Sequence, residues 1–303
     1  MTSIIAVIEQ IIMLFCITAI GYCFRRKGVM SDTVIKGVNT ILLQAAWPAM
    51  IIMTTQKEGS ADAVNNFLKI LIFATVLLAV LTLALYLFCK RHFKNGKSEV
   101  FTILSTLPNA GFIGLPIIRA VYGDAGVLYL SAFIVAFNLV LWTICICMFA
   151  GFNLSSLEAI LNPGFIASVV GTALFFLRIK LPAPLLSLSN QLGGLTTPLA
   201  MLLLGARLGQ LTRKTLTDKT LWISCIIKLT VMPLITLAIV SILRVDKMLV
   251  GIVVLSMGMP SASVAQLFVE KYDGDVMLSA AGVSVSTLCC IVTLPLILAL
   301  IGV

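Results

Sequence analysis

Apolar runs of about twenty residues, separated by short polar connections, recur along the whole chain. A bilayer core about 30 Å thick takes about 20 apolar residues per helix. Ten segments fit: 3–24, 35–55, 67–89, 100–121, 126–150, 163–179, 185–206, 220–243, 249–269 and 276–301. Only 11% of the 303 residues are charged and 60% are hydrophobic, whereas soluble domains carry about 25% charged residues. A soluble globule would lack the polar surface it needs. The expectation is an all-α integral membrane protein, and disulfide scaffolds, disordered chains and soluble enzymes are excluded.

The first run reaches Phe24 with no basic stretch before it and no small-residue cleavage site after it. It reads as a retained first span rather than a signal peptide, and no soluble domain is expected on either side. The eight cysteines lie within or at the rim of apolar runs, without metal-ligand spacing, and His92 sits in a basic loop. The cysteines read as small packing residues, with no metal and no cofactor expected. The formal net charge of +9 follows from topology, so no nucleic-acid partner is implied. Thirteen Lys and Arg fall on the odd-to-even connections, among them Arg25-Arg26-Lys27 and Lys90-Arg91. Seven fall on the opposite face. The richer face is cytoplasmic by the positive-inside rule. A multi-pass protein of the cell's inner (plasma) membrane, both termini extracytoplasmic, is the expectation.

The two halves echo one another. Ile103-Leu104-Ser105, Pro108, Tyr122-Gly123-Asp124 and Leu130-Ser131-Ala132 recur as Val254-Leu255-Ser256, Pro260, Tyr272-Asp273-Gly274 and Leu278-Ser279-Ala280. Asn39 and Pro48 in span two match Asn190 and Pro198 in span seven. The reading is two five-helix repeats, 1–150 and 163–303. Five is odd, so the second repeat is inverted, an arrangement that places transporter sites at the repeat interface.

Spans four and nine are broken near their middles, by Leu107-Pro108-Asn109-Ala110-Gly111-Phe112-Ile113-Gly114-Leu115-Pro116 and by Gly258-Met259-Pro260-Ser261-Ala262-Ser263. Proline removes a donor and clashes with the preceding turn. Lipid cannot satisfy the freed groups, so such a stretch must face protein or a wet cavity. Half-helices starting at Asn109 and Ser261 would present free amides, each end carrying roughly half a positive charge and favouring an anion. Asn109, Ser261 and Ser263 add side-chain hydrogen bonds, with Gly111 inside the break, Asn138 in span five at comparable depth, and Gln266 two turns past the second break. Asp124, Glu270, Asp273 and Asp275 cluster at span ends, and Glu9 is the one carboxylate inside a span. That scarcity disfavours a carboxylate-pair cation antiporter and suits an anionic substrate. Lys228, inside span eight, reads in three ways: a snorkelling side chain, a fixed charge attracting the anion, or a tie to backbone carbonyls.

Leu107-Pro108-Asn109 through Gly114-Leu115-Pro116 to Tyr122-Gly123 resembles the fourth-helix crossover of the auxin efflux carriers. These include the plant PIN exporters and bacterial permeases for malonate and other organic acids. Asn138 before Trp142, Pro198-Leu199-Ala200-Met201 with Gly205, and Met259-Pro260-Ser261-Ala262 with Tyr272 resemble its fifth, seventh and ninth helices. The resemblance implies a ten-helix inverted-repeat fold, sodium/proton antiporter-like and bile-acid symporter-like, with crossing helices 4 and 9. It implies a scaffold domain of helices 1, 2, 6 and 7 and a transport domain of helices 3–5 and 8–10 that moves as an elevator. A substrate carboxylate would sit at the crossover, here Pro108, Asn109 and Pro260, and a homodimer is usual in plant members. The long cytoplasmic loop of many plant members is missing, since residues 151–162 join the halves directly. Plant-type regulation by phosphorylation there is not expected, and nothing identifies auxin as substrate.

The expected function is secondary or uniport transport of small organic anions, with proton or sodium as candidate coupling ions. The alternatives are a sodium-coupled symporter of the bile-acid type and an amino-acid exporter. An enzyme is not expected, for the spans hold no nucleophile–base set, metal motif or phosphate loop.

Overall fold

A computed structural model describes residues 2–56, 61–93, 97–151, 162–211, 213–242, 246–264, 266, 269, 272 and 274–302. Nearly all of them are helical, and the described residues hold no strand beyond one isolated bridge. Six helical stretches are long and apolar enough to cross a membrane: Val7–Arg26, Asp32–Thr55, Asp62–His92, Gly114–Ala150, Lys219–Ile242 and Val276–Ile301. Pro163–Phe176 and Lys247–Gly258 are shorter apolar helices. The segment 152–161 that joins the two halves lies outside the described residues, as do Glu270 and Asp273.

The segment expected as span four is in two pieces. Helix Lys97–Thr106 stops, residues 107–109 are not helical, and helix resumes at Ala110–Gly114. Leu115–Val140 then carries both the end of that span and most of span five, turning at Gly123 (φ 64°, ψ −155°). Only glycine enters that region freely, and a Cβ at Gly123 would meet nothing within 4 Å. The turn itself, and no crowding, therefore requires the glycine. In span nine helix Lys247–Gly258 stops at the second break. Of the half-helix expected from Ser261, residues 265, 267–268 and 270–271 lie outside the described residues.

Proline explains three turns that periodicity missed. Wide π-helical turns cover Leu42–Ala46, Ala110–Gly114 and Ile227–Val231, and each is followed two residues later by a proline: Pro48, Pro116 and Pro233. A helical proline ring collides with the carbonyl four residues back. Those carbonyls, of Gln44, Phe112 and Leu229, all lie inside the widened turns, and the extra residue moves them aside. A fourth such turn, Leu141–Cys145, has no proline after it. Two neighbouring threonines at the start of helix Thr196–Leu208 satisfy carbonyls in two of these turns. Thr196 Oγ1 donates to Ala46 O at 2.9 Å, and Thr197 Oγ1 to Phe112 O at 3.0 Å.

The helix Thr2–Arg26 packs along Thr196–Leu208, and small residues set how closely. A Cβ on Gly205 would overlap the Thr18 carbonyl, and one on Gly21 the Leu202 carbonyl. Apolar burial drives no helix association within lipid, so close backbone approach of this kind matters there. Trp47–Thr55 packs against Pro163–Phe176 and Ala183–Gly194, while Ala61–His92 packs against Lys97–Thr106 and Leu115–Val140. Polar residues at the span ends cap helices. Asn162, Asp218, Asp246 and Asp275 each accept from an amide in the first turn that follows.

Gly205→Val should therefore force the two helices apart. Overpacking typically costs about 1–3 kcal/mol, so the purified variant should melt several degrees below the parent in detergent. An unchanged melting temperature would contradict the packing described.

Candidate functional site

The two breaks meet. Asn109 N–H donates to Pro260 O at 2.8 Å and Ala262 N–H donates to Leu107 O at 2.9 Å, forming an antiparallel bridge between Pro108 and Ser261. Each proline interrupts its own helix, and the freed backbone groups find partners on the other break. Side chains complete the joint. Ser261 Oγ donates to Leu104 O at 2.6 Å, near the carbonyl end of Lys97–Thr106, and Ser261 N–H donates to Ser286 Oγ at 3.1 Å. Asn109 Nδ2 donates to Ser263 Oγ at 3.1 Å.

These bonds correct one expectation. The amides of Asn109, Ser261 and Ala262 are not free for an anion, because the crossing itself uses them. Helix N-termini leave their first amides without intrahelical partners, so in the first break any free ones begin at Ala110. The site's chemistry passes largely to side chains.

Beside the crossing lies a cavity of about 30 Å³, room for about two waters. Its polar lining is Asn39, Arg207, Ser263 and Gln266, and its apolar lining includes Leu43, Phe112, Leu204 and Val283. Among the described residues the lining holds no carboxylate. With the Gln266 amide turned so that its oxygen faces the guanidinium, that oxygen accepts from Arg207 Nη1 at 3.0 Å and Nε at 3.3 Å. Phe112 meets the edge of Trp47 with ring centroids 4.8 Å apart.

Of the residues expected at the site, Ser263 and Gln266 line this cavity, and Asn109 stands one hydrogen bond behind Ser263. Pro108, Pro260 and Ser261 form the joint rather than the lining. Gly111 is packed against Trp47 and Met50, where a Cβ would overlap the indole ring. Asn138 is fully buried outside the lining, and neither atom of its amide has a partner among the described residues.

A protein-family comparison finds the family described as "Membrane transport protein" at residues 6–156 and 152–298. The chain belongs to this family. Two relatives match along nearly their whole length. An uncharacterized transporter of Methanocaldococcus jannaschii is 24% identical over 293 residues, 92% of this chain and 94% of its own. One of Methanothermobacter thermautotrophicus is 23% identical over 295 residues, 95% and 96%. The family is that of the auxin efflux carriers, in agreement with the motifs of span four. The chain is thus a multi-pass membrane transporter.

Lys228 of this transporter points into the protein. It is fully buried and its Nζ donates to Met257 O at 2.6 Å. It does not snorkel. It ties the carbonyl end of Lys247–Gly258, where a positive charge also suits the helix dipole. It is not in the cavity lining.

Arg207 and Asn39 were missed as site residues. A seventh span ending at 206 leaves Arg207 among the connection charges, but the helix runs to Leu208 and keeps Arg207 in its last turn. Asn39, which aligns span two with span seven in the sequence, lines the cavity as well.

Ser261→Ala should destabilise the transporter by about 1–3 kcal/mol, since it leaves the buried Leu104 carbonyl short of a partner. Ser263→Ala, on the cavity, should change the melting temperature much less. Equal melting of the two variants would contradict the separate roles of joint and lining.

Proposed function

We propose that this transporter is a secondary carrier of small organic anions, binding a carboxylate beside the crossing of spans four and nine. The observation that carries the reading is the cavity lining, in which the described residues bring together a guanidinium, two amides and a hydroxyl. Hydrogen-bond donors of this kind suit a carboxylate. The apolar wall of Phe112, Leu204 and Val283 suits a carbon skeleton. The cavity is smaller than an organic acid, so binding has to widen it.

The wider architecture belongs to the same proposal. The chain would cross the inner membrane ten times as an inverted 5+5 repeat with both termini outside. Spans 1, 2, 6 and 7 would form a scaffold, and spans 3–5 and 8–10 a transport body moving as an elevator. The preferred packing of Thr2–Arg26 with Thr196–Leu208, and of Trp47–Thr55 with Pro163–Phe176, supports that division. A homodimer is proposed on the family resemblance alone.

One observation favours a sodium-coupled variant. Asn138 and the hydroxyls of Ser105, Ser256 and Ser284 are buried without partners among the described residues, and neutral oxygens are the ligands a sodium site would need in a span without carboxylates.

A thermal-shift panel separates the readings, using malonate, acetate, benzoate, indole-3-acetate and neutral amino acids, each with and without sodium. A ligand at 100 times its Kd stabilises by about 2.7 kcal/mol. The carrier reading expects a shift with at least one carboxylate, abolished in a monodisperse Asn109→Ala variant that has lost its hold on Ser263. A shift that requires sodium selects the symporter. Shifts with amino acids alone would reject the organic-acid substrate, and undiminished affinity in Asn109→Ala would reject the crossing as the site.

A further inference from the structure

The cavity lies to one side of the crossing. Asp32 accepts from Gln210 at 3.0 Å, Ala46 O from Thr196 at 2.9 Å, and a Cβ on Gly193 would crowd the Met50 backbone, so spans two and seven run antiparallel. The lining takes Asn39, Leu42 and Leu43 from before Ala46 and Ala200, Leu203 and Leu204 from after Thr196. All six lie toward the face where Arg25 pairs with Asp32 at 2.9 Å, the cytoplasmic face by its charge.

Toward the other face the same row of span two is shut. Asn39 and Leu43 are half-buried, whereas Trp47, Met50 and Thr54, which continue the row at helical spacing, are buried. The Trp47 indole fills the seam between two glycines. A Cβ on Gly111 would overlap the ring, and one on Gly164 would come within 3.0 Å of it. Phe112 meets the ring edge-on. The indole Nε1 has no acceptor among the described residues, so shape rather than a hydrogen bond seats the ring. Trp47 directly follows one widened turn and Gly111 lies in another, turns of a kind frequent at functional sites.

We propose that Trp47 is the stop between the two accesses of the carrier: the state described faces the cytoplasm, and the indole seated on Gly111 bars the site from the outside. This deepens the carrier reading and rests on its division into scaffold and transport body. Trp47 belongs to the scaffold, Gly111 and Phe112 to the body, so outward movement has to draw Gly111 off the indole. An equilibrium between two states moves only by what differs between them, and the seated indole is a contact that the outward state lacks.

The test uses no substrate. In a chain with all eight cysteines replaced, Leu43→Cys reports the cavity and Met50→Cys, fully buried in the parent, reports the far side of the stop. Each is reacted with the membrane-impermeant trimethylammonium-ethyl methanethiosulfonate, from the cytoplasmic face in inverted vesicles and from the outer face in right-side-out ones. With Trp47 present the thiol at 43 should react from the cytoplasmic face and the thiol at 50 from neither. Trp47→Ala should speed the thiol at 50 from the outer face by about tenfold or more, equivalent to about 1.4 kcal/mol, and slow the thiol at 43 from the cytoplasmic face. Trp47→Phe should lie between, and Gly111→Ala, which sets a methyl against the ring, should move both rates in the same directions as Trp47→Ala. Loss of a merely structural tryptophan would loosen the seam and speed both thiols, or neither. Any pattern but opposite changes, or a thiol at 43 reached from the outer face alone, overturns the proposal. The thermal-shift panel fails independently. Opposite rate changes with no carboxylate shifting the parent would keep the stop and reject the organic-acid substrate.

Discussion

Backbone groups freed in the middle of a membrane must find partners, and the rest of this structure depends on how that demand is met. Two prolines, Pro108 and Pro260, each stop a helix where lipid offers nothing to bond. The residues after one helix pair with those after the other, through Asn109 N–H to Pro260 O and Ala262 N–H to Leu107 O. Ser261, Ser286 and Lys228 then satisfy what the pairing leaves at Leu104, Ser261 and Met257. Neither break is tenable alone. The joint thus ties one half of the chain to the other where both helices break, and the cavity lies beside it.

The same demand shapes the helices around the joint. Where Pro48, Pro116 and Pro233 interrupt a span, the preceding turn widens, and Thr196 and Thr197 supply donors to the carbonyls of Ala46 and Phe112. Thr197 thereby links the helix that carries Arg207 to the first break. Trp47, which follows one widened turn, packs over Gly111 and Phe112 in another. Phe112, which lines the cavity, therefore touches both the indole of Trp47 and the Thr197 hydroxyl.

Much of this was legible in the residues. Apolar run length gave the membrane class, and the motif around Pro108 gave the family that the comparison later showed. The positions of both breaks followed from proline chemistry. What stayed hidden has a common cause. Pattern and propensity describe one helix at a time, whereas the pairing of Pro108 with Ser261 joins residues 153 apart. The amides of Asn109 and Ser261 looked free because their partners lie across that gap. Arg207 looked like a topology charge because a two-residue error in the end of span seven moved it out of the helix. Gly111 looked like part of a binding loop, although it is the indole of Trp47 that requires it.

The pairing of the two breaks is tested most directly by a disulfide. Residues facing each other in such a bridge have Cα atoms about 4.5 Å apart, within the range a disulfide spans. Pro108→Cys and Ser261→Cys are combined in a cysteine-free chain that carries a protease site inserted within 152–161, and the protein is oxidised in membranes and then cleaved. The structure predicts that the two halves stay joined on a non-reducing gel and separate on reduction. Halves that separate without reductant, as in either single-cysteine chain, would contradict the crossing and the site built on it.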